Sequence, residues 1–312
     1  MATGVEGSLA LNAHRLAAED RRRARVRRAL NNVLTVVIYI LIAFVFITPM
    51  LWVIGNSVLS SQAIWTSVNP VSLKTFISFD EFKIQNYTEA LGVGVVAQGM
   101  GFNLGQALFI SFASSVCVVF SSLIFNTGAA YFFGRLRVPH KNLLMVYVVV
   151  TMMIPQQVVI VPIFLVVNQL GLINTFWSLV VPWYASPFIV FALTQFFADL
   201  PYELDEAALM DGANLFQILR HVIVPNSLPG LLTVAVLEFQ FIWNEFYWPL
   251  VAVSSRDLFP VQVAIASQFT ERDPQWGRVF AAMVLASAPV IILFVLMQRY
   301  FYESVALSGV KG

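Results

Sequence analysis

A chain of 312 residues of which 59% are apolar and 11% charged, with a mean hydropathy of +0.78, lies far from the balance of a water-soluble domain. Its single cysteine, Cys117, sits in an apolar run, which excludes an intrachain disulfide framework and a cysteine-based metal site. The net charge of +1 is unevenly spread, because Arg21, Arg22, Arg23, Arg25, Arg27 and Arg28 crowd ahead of the first apolar stretch. Such a cluster beside a membrane helix reads as a cytoplasmic anchor and not as a nucleic-acid patch.

A membrane helix needs about 20 mostly apolar residues to cross about 30 Å of hydrocarbon. Six windows meet that requirement: 33–54, 107–133, 143–167, 176–197, 228–253 and 279–297. The first exceeds a signal-peptide core and no small-residue cleavage site follows it, so it reads as a retained span. Residues 1–30 then form a cytoplasmic tail and 31–312 one all-α transmembrane domain. The external loop 55–106 is mixed in composition and predicts a short helix near 86–91. The third window holds Pro155, Gln156, Gln157 and Pro162, and the fourth holds Pro182 and Pro187. Backbone carbonyls freed by these prolines must find partners inside the bundle or in a wet cavity, so kinks that serve as hinges are expected.

With the amino terminus in the cytoplasm, most of the basic residues fall inside, including the tail cluster, Arg135, Arg137, Lys141, Arg220, Arg299 and Lys311, while Lys74, Lys83, Arg256, Arg272 and Arg278 fall outside. That excess places both termini in the cytoplasm. All seven tryptophans, Trp52, Trp65, Trp177, Trp183, Trp243, Trp248 and Trp276, then lie in the outer half. They read as an outer aromatic belt, with sugar stacking open for one or two of them.

The inner loop 198–226 carries the densest local signals. Pro201 suits a first helical turn, Glu203, Asp205 and Glu206 favour its positive end, and Ala207, Ala208 and Leu209 propagate it to a terminator at Gly212. Asn214 caps a second helix that runs to Pro225. So small an element cannot fold alone. Either it packs beneath its own bundle, or Ala207, Ala208 and Leu209 enter a groove on a cytoplasmic partner while Glu206 meets a basic residue there.

Glu238 and Glu245 are the acidic residues within a predicted span, where a buried carboxylate costs several kcal/mol. Seven residues apart, they sit about two turns from each other on one helix face and could share an aqueous path. Interfacial solvation for Glu245 and helix pairing for Glu238 are the plainer readings. Gln156, Gln157, Asn168, Gln195, Gln240 and Asn244 add neutral donors and acceptors, which either bond helices together or suit a polyhydroxylated ligand. No Lys or Arg lies mid-span. The candidate path is therefore Gln156, Gln157, Glu238, Trp243, Asn244 and Glu245.

Glu206-Ala207-Ala208, three residues, Gly212, nine residues, then Val222, Val224 and Pro225 resemble the cytoplasmic EAA loop of binding-protein-dependent ABC importer permeases, with valines in place of that pattern's isoleucine and leucine. Ala129-Ala130-Tyr131 with Arg135, Trp243-Asn244-Glu245-Phe246 with Pro249-Leu250, and the ending Ser308 to Gly312 are similar to the maltose-type carbohydrate branch. Gln106-Ala107 departs from it where Asn-Ser is expected. The resemblance implies six transmembrane helices of the importer type and an ATPase-coupling loop carried by Glu206, Ala207, Ala208, Asp211, Gly212 and Pro225. It further implies a homologous sister permease, two cytoplasmic ATP-binding subunits, an extracytoplasmic solute-binding protein and alternating access. No cofactor or metal is expected. No Gly-x-x-x-x-Gly-Lys-Ser/Thr cradle occurs and the three histidines are scattered, so ATP hydrolysis belongs to a partner. The rivals are a permease for glycerol phosphate, amino acids or peptides, an ATP-independent secondary transporter, and a membrane-embedded enzyme, for which no catalytic constellation stands out.

Overall fold

The computed structural model describes residues 3–68, 81–93, 103–270 and 274–309. The rest of the external loop, with Lys74, and also Arg272 and Lys311, lie outside the described residues. Among the described residues the fold is all helical, apart from one isolated antiparallel bridge between Leu59 and Phe82.

Three helices are long and apolar enough to cross a membrane unbroken: Leu30–Asn56, Leu104–Arg135 and Trp276–Gln298. The first is continuous with the tail, forming one helix over Thr3–Asn56, so the boundary expected near residue 30 is a change of composition and not of backbone. Three further helix pairs are apolar enough together but bent at a short break. Lys141–Thr151 and Gln156–Gln169 meet at 100°, Phe176–Trp183 and Pro187–Ala198 at 44°, and Leu215–Asn226 and Leu228–Trp243 at 82°.

Each break has a local cause. Pro155 adopts an extended ψ of 133° at the head of the second half of the third span, since its ring offers no N–H and disfavours helix in the preceding residue. In the fourth span two 3-10 turns precede Ser186, whose hydroxyl caps Ile189 while Pro187 occupies the first turn. The expected fifth span, 228–253, is not one helix. It stops at Trp243, turns through Asn244–Phe246 and restarts as Tyr247–Ala252. The 16-residue first part is about 24 Å long, short of the hydrocarbon core of about 30 Å.

The external loop folds onto the same end of the bundle as the first residues of the sixth span. The expected short helix there is Gln85–Ala90. Its Asn86 amide donates to the carbonyls of Ser57 (2.9 Å) and Leu59 (2.8 Å). One apolar core at that end joins Leu104, Ala107, Phe239, Trp243, Ile265 and Ala282. A second, at the end that carries the 198–226 loop, joins Ala130, Tyr131, Leu193, Phe197, Ile218 and Ile223.

Candidate functional site

Two sets of residues stand out, one at each end of the bundle. At the loop end, Glu203–Met210 forms a helix with Glu203, Asp205 and Glu206 in its first turn. Gly212 turns the chain at φ +82°, a left-handed conformation that a side chain disfavours. Asn214 then opens the next helix through a reciprocal capping box with Gln217. Its Oδ1 accepts from the Gln217 N–H (3.0 Å) and its own N–H donates to Gln217 Oε1 (2.8 Å).

Pro225 does not end this helix, contrary to expectation. Residues Leu219–Ile223 widen into a π turn, and Val224–Asn226 continues with Pro225 in a first-turn position where no N–H is required. The chain turns at Ser227 instead. The first helix also begins two residues after Pro201.

The loop leans on its own bundle through Ile218 and Ile223, with Ala208 half-buried against the same cluster. Ala207, Glu206 and Leu209 face outward, as do Asp211 and Gly212. Beside them Met210 is 88% exposed and Phe216 68%. These two apolar residues straddle the Gly212 turn and were not singled out from the sequence, although their position on either side of a polar turn was visible there.

Arg135, read from sequence as a topology-setting charge, is a buried contact residue. It is 5% exposed, donates to the carbonyls of Phe197, Leu200 and Pro201, and pairs with Asp205.

At the other end, the break after Trp243 builds an open cleft of about 430 Å3 lined by both polar and apolar side chains. Leu237, Gln240, Phe241 and Asn244 supply one helical face of it, and Gln156, Gln157 and Glu245 face them. Glu245 is buried. One carboxylate oxygen accepts from the Trp248 N–H (3.0 Å), capping the restarted helix, and the other accepts from Gln156 Nε2 (3.0 Å). No basic side chain lines the cleft. Gln156, Gln157, Asn244 and Glu245 are thus brought together.

Glu238 and Trp243 are not brought into that cleft. Glu245 lies beyond the helix end, so the shared face expected for the two carboxylates does not exist. Glu238 is buried against the second span, bonded to the Ser122 hydroxyl, which also accepts from Asn126 Nδ2 (2.6 Å). Trp243 is 2% exposed, stacks on Phe239 and donates its indole N–H to Ala286 O (3.2 Å). Trp248 is as buried and donates to Ser178 O (2.8 Å). These two rings hold helices together and cannot belong to a lipid-facing belt, whereas Trp65 and Trp177 are exposed. Trp243 does border a neighbouring cavity of about 580 Å3, together with Gln240, Asn244, Gln262 and Met283. Asn168 and Gln195 are exposed and lie outside both.

The broken spans, the bundled core and the exposed helical loop define a membrane-transport subunit. Residues 126–306 match the family described as binding-protein-dependent transport system inner membrane component, and the chain belongs to that family of ABC permease subunits. Among curated relatives, it is 31% identical to the diacetylchitobiose uptake system permease protein NgcG of Streptomyces coelicolor over 93% of this chain and 90% of the relative. It is 29% identical to the arabinooligosaccharides transport system permease protein AraQ of Halalkalibacterium halodurans, covering 87% and 93%. It is 31% identical to the sn-glycerol-3-phosphate transport system permease protein UgpE of Agrobacterium fabrum, covering 70% and 78%. A chain from the crystal structure of a bacterial ABC transporter that imports the acidic polysaccharide alginate shares the fold, with a TM-score of 0.75 at 22% identity, over 87% of this chain and 96% of that one.

Proposed function

We propose that this chain is the carbohydrate-translocating permease of an ATP-driven importer, lining the path together with a homologous sister subunit. The observation that carries the cargo is the cleft at the fifth-span break. One carboxylate and the amides of Gln156, Gln157, Gln240 and Asn244 offer acceptors and donors with no cation among them. That set matches vicinal hydroxyls and offers nothing to neutralise a phosphate. The relatives named for diacetylchitobiose and arabinooligosaccharides support the same cargo class. The relative named for sn-glycerol-3-phosphate supports a second reading, which the uncompensated carboxylate disfavours.

The loop 198–226 is the element that engages a cytoplasmic ATPase. Glu206, Ala207, Asp211 and Gly212 lie on its outward side, where Met210 and Phe216 present exposed apolar surface. Ala208 and Pro225 act behind that surface, shaping it. The ATPase pair would close on the loop and favour one of two permease conformations, which is how hydrolysis drives alternating access. Both termini lie in the cytoplasm and an extracytoplasmic solute-binding protein delivers cargo at the cleft end.

The test begins with purification of the tagged chain from its native membranes in mild detergent and mass spectrometry of what stays bound. An ATPase and a second six-span permease are expected. Uptake of labelled neutral oligosaccharides is then measured with sn-glycerol 3-phosphate as competitor. Uptake of labelled sn-glycerol 3-phosphate by the same complex, with no saturable uptake of the neutral oligosaccharides, would move the cargo to the second reading.

A further inference from the structure

Gly134, the residue before Arg135, marks a close approach of two spans. A Cβ there would meet the Thr194 carbonyl oxygen at 3.1 Å and Phe197 Cβ at 3.3 Å. The second and fourth spans therefore touch backbone to side chain at their loop ends, and the guanidinium of the next residue extends across the gap between them.

Both terminal nitrogens of that guanidinium are used on one side of the gap. One terminal nitrogen donates to Phe197 O (3.2 Å) and Leu200 O (2.7 Å), carbonyls at the end of the fourth-span helix Pro187–Ala198 and just after it. The other donates to Pro201 O (2.9 Å) and to the Asp205 carboxylate inside the helix Glu203–Met210. The ring of Tyr202 stacks 4.2 Å from the guanidinium carbon, and its hydroxyl donates back to Gly134 O (3.2 Å). A planar fork with five N–H groups makes such a junction; an ammonium on a flexible stem does not.

We infer that Arg135 is a positioning residue that clamps the ATPase-facing helix, through Asp205 and Tyr202, to the ends of the second and fourth spans, so that the loop and those spans move as one body. The inference rests on the proposal that this loop engages an ATPase. Without the clamp, the loop would be attached by the apolar contacts of Ile218 and Ile223 and by its chain ends, and a push on Glu203–Met210 would tilt that helix before it moved a span. Severing the Asp205 arm leaves the carbonyl bonds intact, which separates coupling from folding.

The experiment uses the whole importer in lipid nanodiscs, with Cys117→Ser as background and spin labels on cysteines placed at Glu203 of the loop helix and at Phe120 of the second span, both exposed. Distance distributions are recorded without nucleotide and after vanadate trapping with ATP. The unmodified clamp should give one narrow distance that is the same in both states. Asp205→Asn and Tyr202→Leu should each broaden the distribution about twofold on trapping, and should lower transport per ATP hydrolysed. A double variant Arg135→Gln with Asp205→Asn should be no broader than Arg135→Gln alone, because both remove one contact. If Arg135→Gln does not fold, the Asp205 and Tyr202 variants carry the test. Distributions in both of those variants as narrow as in the parent would overturn the inference. Failure of the docking proposal is read separately, as absence of the ATPase from the parent complex.

Discussion

Glu245 joins two broken spans, and its replacement separates a structural role from a cargo role. Its carboxylate accepts from Trp248 N–H and from Gln156 Nε2, each at 3.0 Å, the first bond buried and the second part-buried. Glu245→Ala removes both acceptors and strands the Trp248 N–H, while the Gln156 amide can turn to the open cleft. At about 1–3 kcal/mol for one stranded buried group, and a further cost for the cavity the carboxyl leaves, the loss is a large share of a typical stability of about 5–15 kcal/mol. Glu245→Gln is nearly isosteric. Its carbonyl oxygen still serves Trp248, and Gln156 needs only an amide flip to present its oxygen to the new NH2. The bundle then loses only the charge-assisted part of two bonds, about 1–2 kcal/mol. In a detergent thermal-stability assay, Glu245→Ala should therefore fall well below Glu245→Gln. In uptake assays on cells that lack the parental gene, Glu245→Gln should raise KM for a neutral oligosaccharide about tenfold, the equivalent of about 1.4 kcal/mol of lost hydroxyl binding. An unchanged KM would show that the cargo does not use the charge. Equal stability of Glu245→Ala and the parent would refute the bonding itself.

Three further outcomes follow from the loop end. Met210→Asp and Phe216→Asp should abolish co-purification of the ATPase while leaving the melting temperature of the bundle unchanged, because both side chains are exposed; Glu206→Ala should weaken it less severely. Gly134→Val should destabilise the bundle by about 1–3 kcal/mol, read as a lowered melting temperature, since the new methyl groups meet the Thr194 carbonyl and Phe197. Asn214→Ala should cost the second loop helix about 1 kcal/mol, seen as faster hydrogen exchange at the Gln217 amide.

The six apolar windows and the turn chemistry of the inner loop were legible in the sequence because both are local. Gly212 and Asn214 act on residues within one turn of themselves, and hydropathy reports a whole window at once. The fifth-span break had a local signal in Pro249, which offers no N–H to the Glu245 carbonyl one turn back, yet its apolar surroundings read as one continuous span. The contact that Glu245 then makes with Gln156, 89 positions away, was not legible. The packing of Arg135 was hidden by distance along the chain. A lone basic residue at the end of a span reads as an orientation signal, and its carbonyl partners lie 62 to 66 positions further along.

Several polar side chains of this bundle serve the breaks in its helices. In hydrocarbon an unpaired backbone group costs several kcal/mol, so every interruption needs a donor or acceptor from elsewhere. Asn126 supplies one for the fourth span, its Oδ1 accepting from Ser186 N (3.1 Å), and its Nδ2 reaches the Ser122 hydroxyl that also serves Glu238. Asn174 supplies two, accepting from the N–H groups of Ser254 and Ser255 at 2.9 Å beyond the helix Tyr247–Ala252. Glu245 supplies the one at Trp248. Asn126 and Asn174 are engaged by backbone and by neighbouring side chains within the fold. Glu245 differs from them in that it also lines an open cleft beside Gln157 and Asn244, where each carboxylate oxygen keeps a lone pair for a hydroxyl. A side chain that holds a break together and borders the cleft at the same time ties occupancy of the cleft to the geometry of the fifth span.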